Sequence, residues 1–166
     1  MIEIRRYRCG DPIDEITRLL NRAYASLAER GLRFVASWQT PDMTAERIGK
    51  GTCLLALDGN EIVGTVMLYP QQEDSECAYY GRPGVFHFGK FAVLPERQGD
   101  GIGKMLFEAV ESEAKRLGAR ELACDTAKPA SDLIAMYRRW GLEIVGEQNW
   151  SITNYESVVM SKLLAD

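Results

Sequence analysis

The chain has 166 residues, 46% apolar and 27% charged, with a net charge of −4. That length supports a single domain over 1–166 with a core of its own, and the acidic balance gives no global basic field for nucleic acid. No apolar run approaches the roughly 20 residues a membrane span needs, and Met1–Arg8 holds no apolar signal core. Cys9, Cys53, Cys77 and Cys124 contain no Cys-x-x-Cys pair and there is one histidine, so no metal site is expected. Free thiols without a signal point to a reducing cytoplasm.

Ile2, Ile4 and Arg6 alternate with Glu3, Arg5 and Tyr7, a strand pattern. Asp11-Pro12 predicts a helix start, with Asp11 as N-cap and Pro12 in first position. Its apolar stripe runs Ile13, Ile16, Leu19, Leu20, Ala23, Tyr24, Leu27, and Gly31 ends it. After an aromatic segment at 32–40, Thr40-Pro41-Asp42 or Thr44 begins a short helix reaching about Gly49. Thr52 to Leu57 and Glu61 to Tyr69 read as strands joined at Asp58-Gly59, the turn extending to Asn60 in a second reading. Pro70 to Pro83 is polar and reads as a mobile loop. Val85 to Leu94 is a strand in which Gly89 suggests a bulge. A helix follows at about 102–117, with Gly118 as its C-cap. Glu121 to Thr126 is a strand, Lys128-Pro129 breaks it, and Ser131 or Asp132 caps a helix through Trp140 that Gly141 closes. Strands at Leu142 to Gly146 or beyond and Ser157 to Leu164 complete the chain. The order β-α-α-β-β-β-α-β-α-β-β predicts an α/β (α+β) fold, a mixed sheet with helices on both faces.

The chemistry gathers at Phe91 to Lys104, where a strand, a glycine-rich turn and a helix follow one another. Glycines let backbone approach a ligand closely, and a helix N-terminus adds partial positive charge, so the turn suits an anion such as phosphate. A P-loop is excluded, because Gln98 stands where its first glycine belongs and Met105 replaces its Ser/Thr. A dinucleotide fingerprint is excluded too, since its third glycine would fall on Lys104 or Leu106. What fits is Gln-x-x-Gly-x-Gly, as Gln98-Gly99-Asp100-Gly101-Ile102-Gly103. An ordinary glycine-rich turn before a helix is the competing reading of the loop alone.

That motif resembles the acetyl-CoA pyrophosphate loop of the GCN5-related N-acetyltransferases, the GNAT family. A second piece, Tyr137-Arg138-Arg139-Trp140-Gly141-Leu142, looks like the family's Tyr-x-x-x-Gly-Phe segment, with Leu142 for Phe. The resemblance follows element order over nearly the whole chain and is specific from about 85 to 142. It implies a mostly antiparallel sheet of about seven strands that splays at its centre, and a cytoplasmic enzyme moving acetyl from acetyl-CoA to a primary amine by direct transfer. Its acceptor would be a small molecule or free amino group, with no metal, nucleic acid or membrane partner, as a monomer or homodimer. On this resemblance the backbone of Phe91, Ala92 and Val93 holds the pantetheine end, and the Val93 N–H stabilises the oxyanion. Amides from Gln98, Gly99, Asp100, Gly101, Ile102, Gly103 and Lys104 hold the pyrophosphate. Asp100 departs from a position that is often basic, and Ala130 from one that is often Asn, with Ser131 as a partial replacement.

The resemblance also implies roles for two protons. Tyr137 occupies the position of the acid that protonates the leaving thiolate; a core aromatic is the alternative. His87 occupies the position of a strand glutamate that some members use as base, and imidazole has a suitable ordinary pKa of about 6.5. A buried structural histidine, with water carrying the proton, is the alternative. The family's acceptor loops fall at 28–40, 69–84 and 149–157, making Trp38, Tyr79, Tyr80, Trp150 and Tyr155 candidate substrate contacts. A catalytically silent acyl-CoA-binding domain is the second reading of the chain, and a nucleotide-binding domain is disfavoured by the loop spacing.

Overall fold

The computed structural model describes residues 1–165. Strand β1 (Ile2–Arg6) leads to α1 (Ile13–Glu29) and α2 (Pro41–Ile48), then β2 (Thr52–Asp58), β3 (Glu61–Tyr69) and β4 (Val85–Val93). The second half is α3 (Ile102–Arg116), β5 (Glu121–Ala127), α4 (Ser131–Arg139), β6 (Glu143–Gln148) and β7 (Ser157–Leu163). Among the described residues, one sheet of order β1-β2-β3-β4-β5-β7-β6 holds all seven strands, and only the β4/β5 pair is parallel. The predicted element order and the mostly antiparallel sheet are both observed.

Helices α1 and α3 both pack against β3 and β4, which accounts for β3 being buried at Ile62 through Tyr69 without alternation. A strand covered on both faces loses the polar positions of a half-exposed one. On the α3 side the approach is close at Gly64, where a Cβ would meet Leu106 at 2.8 Å. The largest core cluster joins Ile16, Leu20, Leu55, Val66, Leu106 and Leu142 between these layers.

Local details depart from the sequence reading for identifiable reasons. Asp11 does not cap α1: its carboxylate accepts from both Arg5 guanidinium nitrogens (2.8 and 2.9 Å) and from the Arg8 amide, and Pro12 takes the cap position without a side-chain bond. Neither Ser131 nor Asp132 caps α4, which starts from Ala130; Asp132 instead accepts from Arg30. Thr40 does cap α2, accepting from the Met43 amide at 3.3 Å. The first hairpin turns on Gly59-Asn60, because Asp58 pairs with Glu61. Segment Pro70 to Pro83 is not a plain loop: Ala78–Gly81 forms a 3-10 turn that buries Cys77 and Tyr80 against Val85, Ala123 and Val159. The bulge expected near Gly89 is present, since Thr65 faces Ala92 while Met67 faces Gly89. Its positive φ falls on Lys90 (51°) rather than on the glycine.

Candidate active site

The site follows from where β4 and β5 stop pairing. They are bonded only at Val85–Glu121, Phe86–Leu122 and His87–Ala123. Beyond these, β4 continues along β3 to Val93 and β5 continues along β7 to Ala127, so their facing edges diverge. The Leu94 amide donates to the Val63 carbonyl on the β3 side, and alternation along a strand turns the amides of its neighbours the other way. Val93 therefore presents its N–H to the open edge. The Val93 carbonyl accepts from the Gln98 side chain at 3.4 Å, and the Phe91 carbonyl on the same edge accepts from the Tyr24 hydroxyl at 2.8 Å. With both carbonyls partnered by side chains, it is the outward Val93 N–H that calls for a ligand or water.

The open edge runs into the glycine-rich loop. Gly99 (φ 92°) and Gly101 (φ 81°) are left-handed, a conformation that costs other residues roughly 1–2 kcal/mol. Gly101 is the residue from which α3 starts. The amides of Gly99, Gly101, Ile102, Gly103 and Lys104 donate to no carbonyl among the described residues, whereas the next one, Met105, bonds Gly101. Five free amides at a helix start form an anion cradle. Asp100 does not spoil it, because its carboxylate is held at 3.0 Å by Arg97, which also reaches Asp58 at 3.0 Å. Ile102 contributes its amide here while its side chain lies in the core. Gly103 lies against the Phe91 and Trp140 rings, at 3.6 and 3.8 Å from where a Cβ would stand. Ser131 is exposed on the first turn of α4.

At the other end of the splay a cavity of about 490 Å³ opens, lined by Tyr137, Phe91, Lys90 and His87, among others. Tyr80, Trp150 and Tyr155 also border it. Two of the expected acceptor contacts do not: Trp38 is 40% exposed, and Tyr79 donates to Glu121 at 2.9 Å with Arg82 over its ring. Asp125, on β5, ties the far wall together. Its carboxylate accepts from the Tyr80 hydroxyl at 2.5 Å and from the Trp150 ring nitrogen at 2.9 Å. Glu76 completes the rim by accepting from the Ser151 hydroxyl at 2.9 Å and from its amide. The segments at 70–83 and 149–156 are thereby joined over the cavity.

Desolvation dominates the electrostatics. It pushes the Tyr137 hydroxyl well above its ordinary pKa, with nearby Cys124 adding to the shift, so the group stays protonated. That hydroxyl makes no protein hydrogen bond among the described residues and belongs to a residue of the cavity wall. His87 lies between Tyr80, stacked at 3.8 Å, and Tyr69 at 5.0 Å. Burial and then the Arg47 charge lower its pKa to about 3, and its Nδ1 has no partner among the described residues. Burial and then Arg47 also lower Lys90 to about 8, while burial raises Asp125.

Sequence reasoning missed Arg47, Lys90 and Asp125. A carboxylate inside the apolar run Leu122-Ala-Cys-Asp-Thr-Ala was a readable signal for Asp125. No comparable signal marked Lys90, whose position depends on the bulge, or Arg47, which reaches the cavity through the packing of α2.

Residues 13–142 match the sequence model of the Acetyltransferase (GNAT) family. The chain is 30% identical over 148 residues to the S-(2-succino)cysteine N-acetyltransferase of Bacillus subtilis (strain 168), covering 87% of each chain. It is 26% identical over 150 residues to the S-alkylcysteine N-acetyltransferase of the same organism, covering 88% of this chain and 82% of that one. A solved GNAT family acetyltransferase from Elizabethkingia anophelis with acetyl-CoA bound shares the fold, with a TM-score of 0.72 at 20% identity over 98% of each chain.

Proposed function

Since this chain belongs to the GNAT family of acetyltransferases, we propose that it transfers acetyl from acetyl-CoA to the free amine of a small molecule held in the 490 Å³ cavity. One observation carries the reading. The open edge of β4 starts at the cavity, which Phe91 lines, and after Val93 the chain turns through Pro95–Arg97 into the five free amides between Gly99 and Lys104. A ligand laid along it would have its anionic end in the cradle and its reactive end at the cavity. The Elizabethkingia relative holds acetyl-CoA, and the two Bacillus relatives are named for N-acetylation of S-substituted cysteines; an amine of that size suits the cavity here.

Acetyl-CoA supplies the activated acetyl group. The Val93 N–H donates to the carbonyl oxygen where negative charge builds, in a site fixed before reaction. Tyr137, kept protonated by burial, donates to the sulfur as it leaves. His87 is neutral over any working pH, and a ring of pKa about 3 is a weak base for an ammonium. We therefore give the first proton to water and the Asp125 carboxylate, whose pKa burial raises. The free hydroxyl of Tyr137 favours an enzyme over a silent acyl-CoA-binding domain, because binding alone has no use for a proton donor there. Thiol release from acetyl-CoA with a panel of small amines tests the proposal. Binding of acetyl-CoA without amine-dependent release would leave only the silent domain.

A further inference from the structure

Two cations in the cavity wall form no direct ion pair among the described residues; the buried Asp125 acts on Lys90 through space without bonding it. Arg47, at the last turn of α2, and Lys90, at the bulge of β4, both line the cavity. Neither forms an ion pair among the described residues, although such pairs are common elsewhere in the chain. Lys50, the third cation of the wall, is held by Glu46 at 3.0 Å. Two positive charges lining one cavity, with Lys90 desolvated by burial, are costly through desolvation of the lysine and their mutual repulsion. The two do sense one another, since Arg47, after burial, contributes to the lowered pKa of Lys90, with Asp125 opposing it in part. Such a pair is relieved by an anion, and guanidinium with ammonium suits a carboxylate.

The backbone adds a reason for Lys90. It is the one non-glycine residue with positive φ among those described, three positions before Val93 and next to Phe91 on the open edge. The bulge thus turns this side chain to the cavity while keeping Phe91 and Val93 on the edge. The carboxylates of the cavity come from other elements, Asp125 from β5 and Asp74 and Glu76 from the 70–83 segment, so the cations lie on β4 and α2 and the anions on β5 and the rim. A molecule with a carboxylate and an amine matches this division; a simple monoamine leaves the cations unpaired.

Resting on the function proposed above, we infer that Arg47 and Lys90 form a carboxylate subsite in the acceptor cavity, and that the acceptor is an amino acid whose amine is acetylated while its carboxylate is held by these two side chains.

The test compares amino acids with their decarboxylated counterparts, S-methylcysteine against 2-(methylthio)ethylamine and S-benzylcysteine against 2-(benzylthio)ethylamine. Binding to the CoA-loaded protein is read by calorimetry and turnover by thiol release, for the parent, Arg47→Gln, Lys90→Gln and Arg47→Lys. Removing one charged hydrogen-bond donor from the carboxylate is expected to reduce the preference for the carboxylated member about 10- to 100-fold in each Gln variant, with Arg47→Lys recovering part of it. Melting curves confirm that the variants fold. Binding preference without turnover would support the subsite and defeat the transferase reading. Turnover with no preference for the carboxylate in the parent, or a preference undiminished in both Gln variants, would overturn the subsite and leave the transferase standing. Absence of both binding and turnover across the panel would overturn the subsite as well.

Discussion

Replacing Tyr137 by Phe separates the chemistry of this residue from its packing. Its ring meets Phe88 edge-on at 5.8 Å and Trp140 edge-on at 6.0 Å, an arrangement that phenylalanine retains. The hydroxyl has no protein partner among the described residues, so its removal orphans nothing. Stability should change by no more than about 0.5 kcal/mol, or about 1–2 °C in Tm for a chain of this size. A positioned acid contributes roughly 10²–10⁴ in rate, so a fall of about 10² in turnover is expected, close to 2.7 kcal/mol of barrier. Acetyl-CoA affinity should hold, since the amide cradle at Gly99–Lys104 does not involve this hydroxyl. The assay is single-turnover thiol release at saturating acetyl-CoA, which reads the chemical step rather than product release. A rate within about threefold of the parent would leave no proton transfer to explain and would return Tyr137 to the core as a plain aromatic. A loss of Tm matching the loss of rate would equally defeat the argument.

Gly101→Val places a β-branched residue at φ 81° where its Cβ meets nothing within 4 Å, so its cost is conformational; calorimetry should show acetyl-CoA affinity weakened by at least about 2 kcal/mol, and unchanged affinity would remove the loop from the binding site. Arg97→Ala frees the Asp100 carboxylate beside the cradle; KM for acetyl-CoA should rise about fivefold, the effect of one like-charge approach near a surface, and Asp100→Ala should restore it, whereas no rise would mean Asp100 never senses the anion. His87 has a folded pKa of about 3 below its ordinary 6.5, so between these values only the unfolded chain holds the proton. Stability therefore rises with pH through that window and is lost as pH falls from about 6.5 toward 3. His87→Gln should flatten that slope in melting curves; an unchanged slope together with a rate loss of about 10² would give the base role back to the imidazole.

Regular elements were legible in the sequence because their signals are local. The stripe from Ile13 to Leu27, the Thr40 cap with Pro41 behind it, and the alternation of β1 need no distant partner. Caps that compete with long-range ion pairs were misread: Asp11 goes to Arg5 and Asp132 to Arg30, and neither arginine is adjacent in sequence. Segment 70–83 looked mobile because its polar residues are many, yet Cys77 and Tyr80 anchor it to β4, β5 and β7. In the site, the loop was readable because its glycines carry backbone geometry directly. The cavity wall was not, because membership depends on side-chain direction: Tyr80 and Trp150 converge on Asp125, while their neighbour Tyr79 turns to Glu121.

One environment serves both recognition and activation. Burial moves four groups of the cavity toward their neutral forms: His87 and Lys90 down, Asp125 and Tyr137 up. An amine entering the same cavity meets the same desolvation, and Arg47 and Lys90 add repulsion against its ammonium form. An alkylamine of ordinary pKa about 10.4 is only about 0.04% neutral at pH 7, so any lowering of that pKa by burial multiplies the reactive fraction. Such a gain reduces what any base must do, which fits a wall holding a neutral imidazole. The substrate carboxylate and the two cations would largely neutralise one another once bound, so what remains to ease deprotonation is desolvation, partly opposed by Asp125. On the proposed reading the pair of side chains would seat the acceptor, and burial of the cavity would make its amine easier to deprotonate.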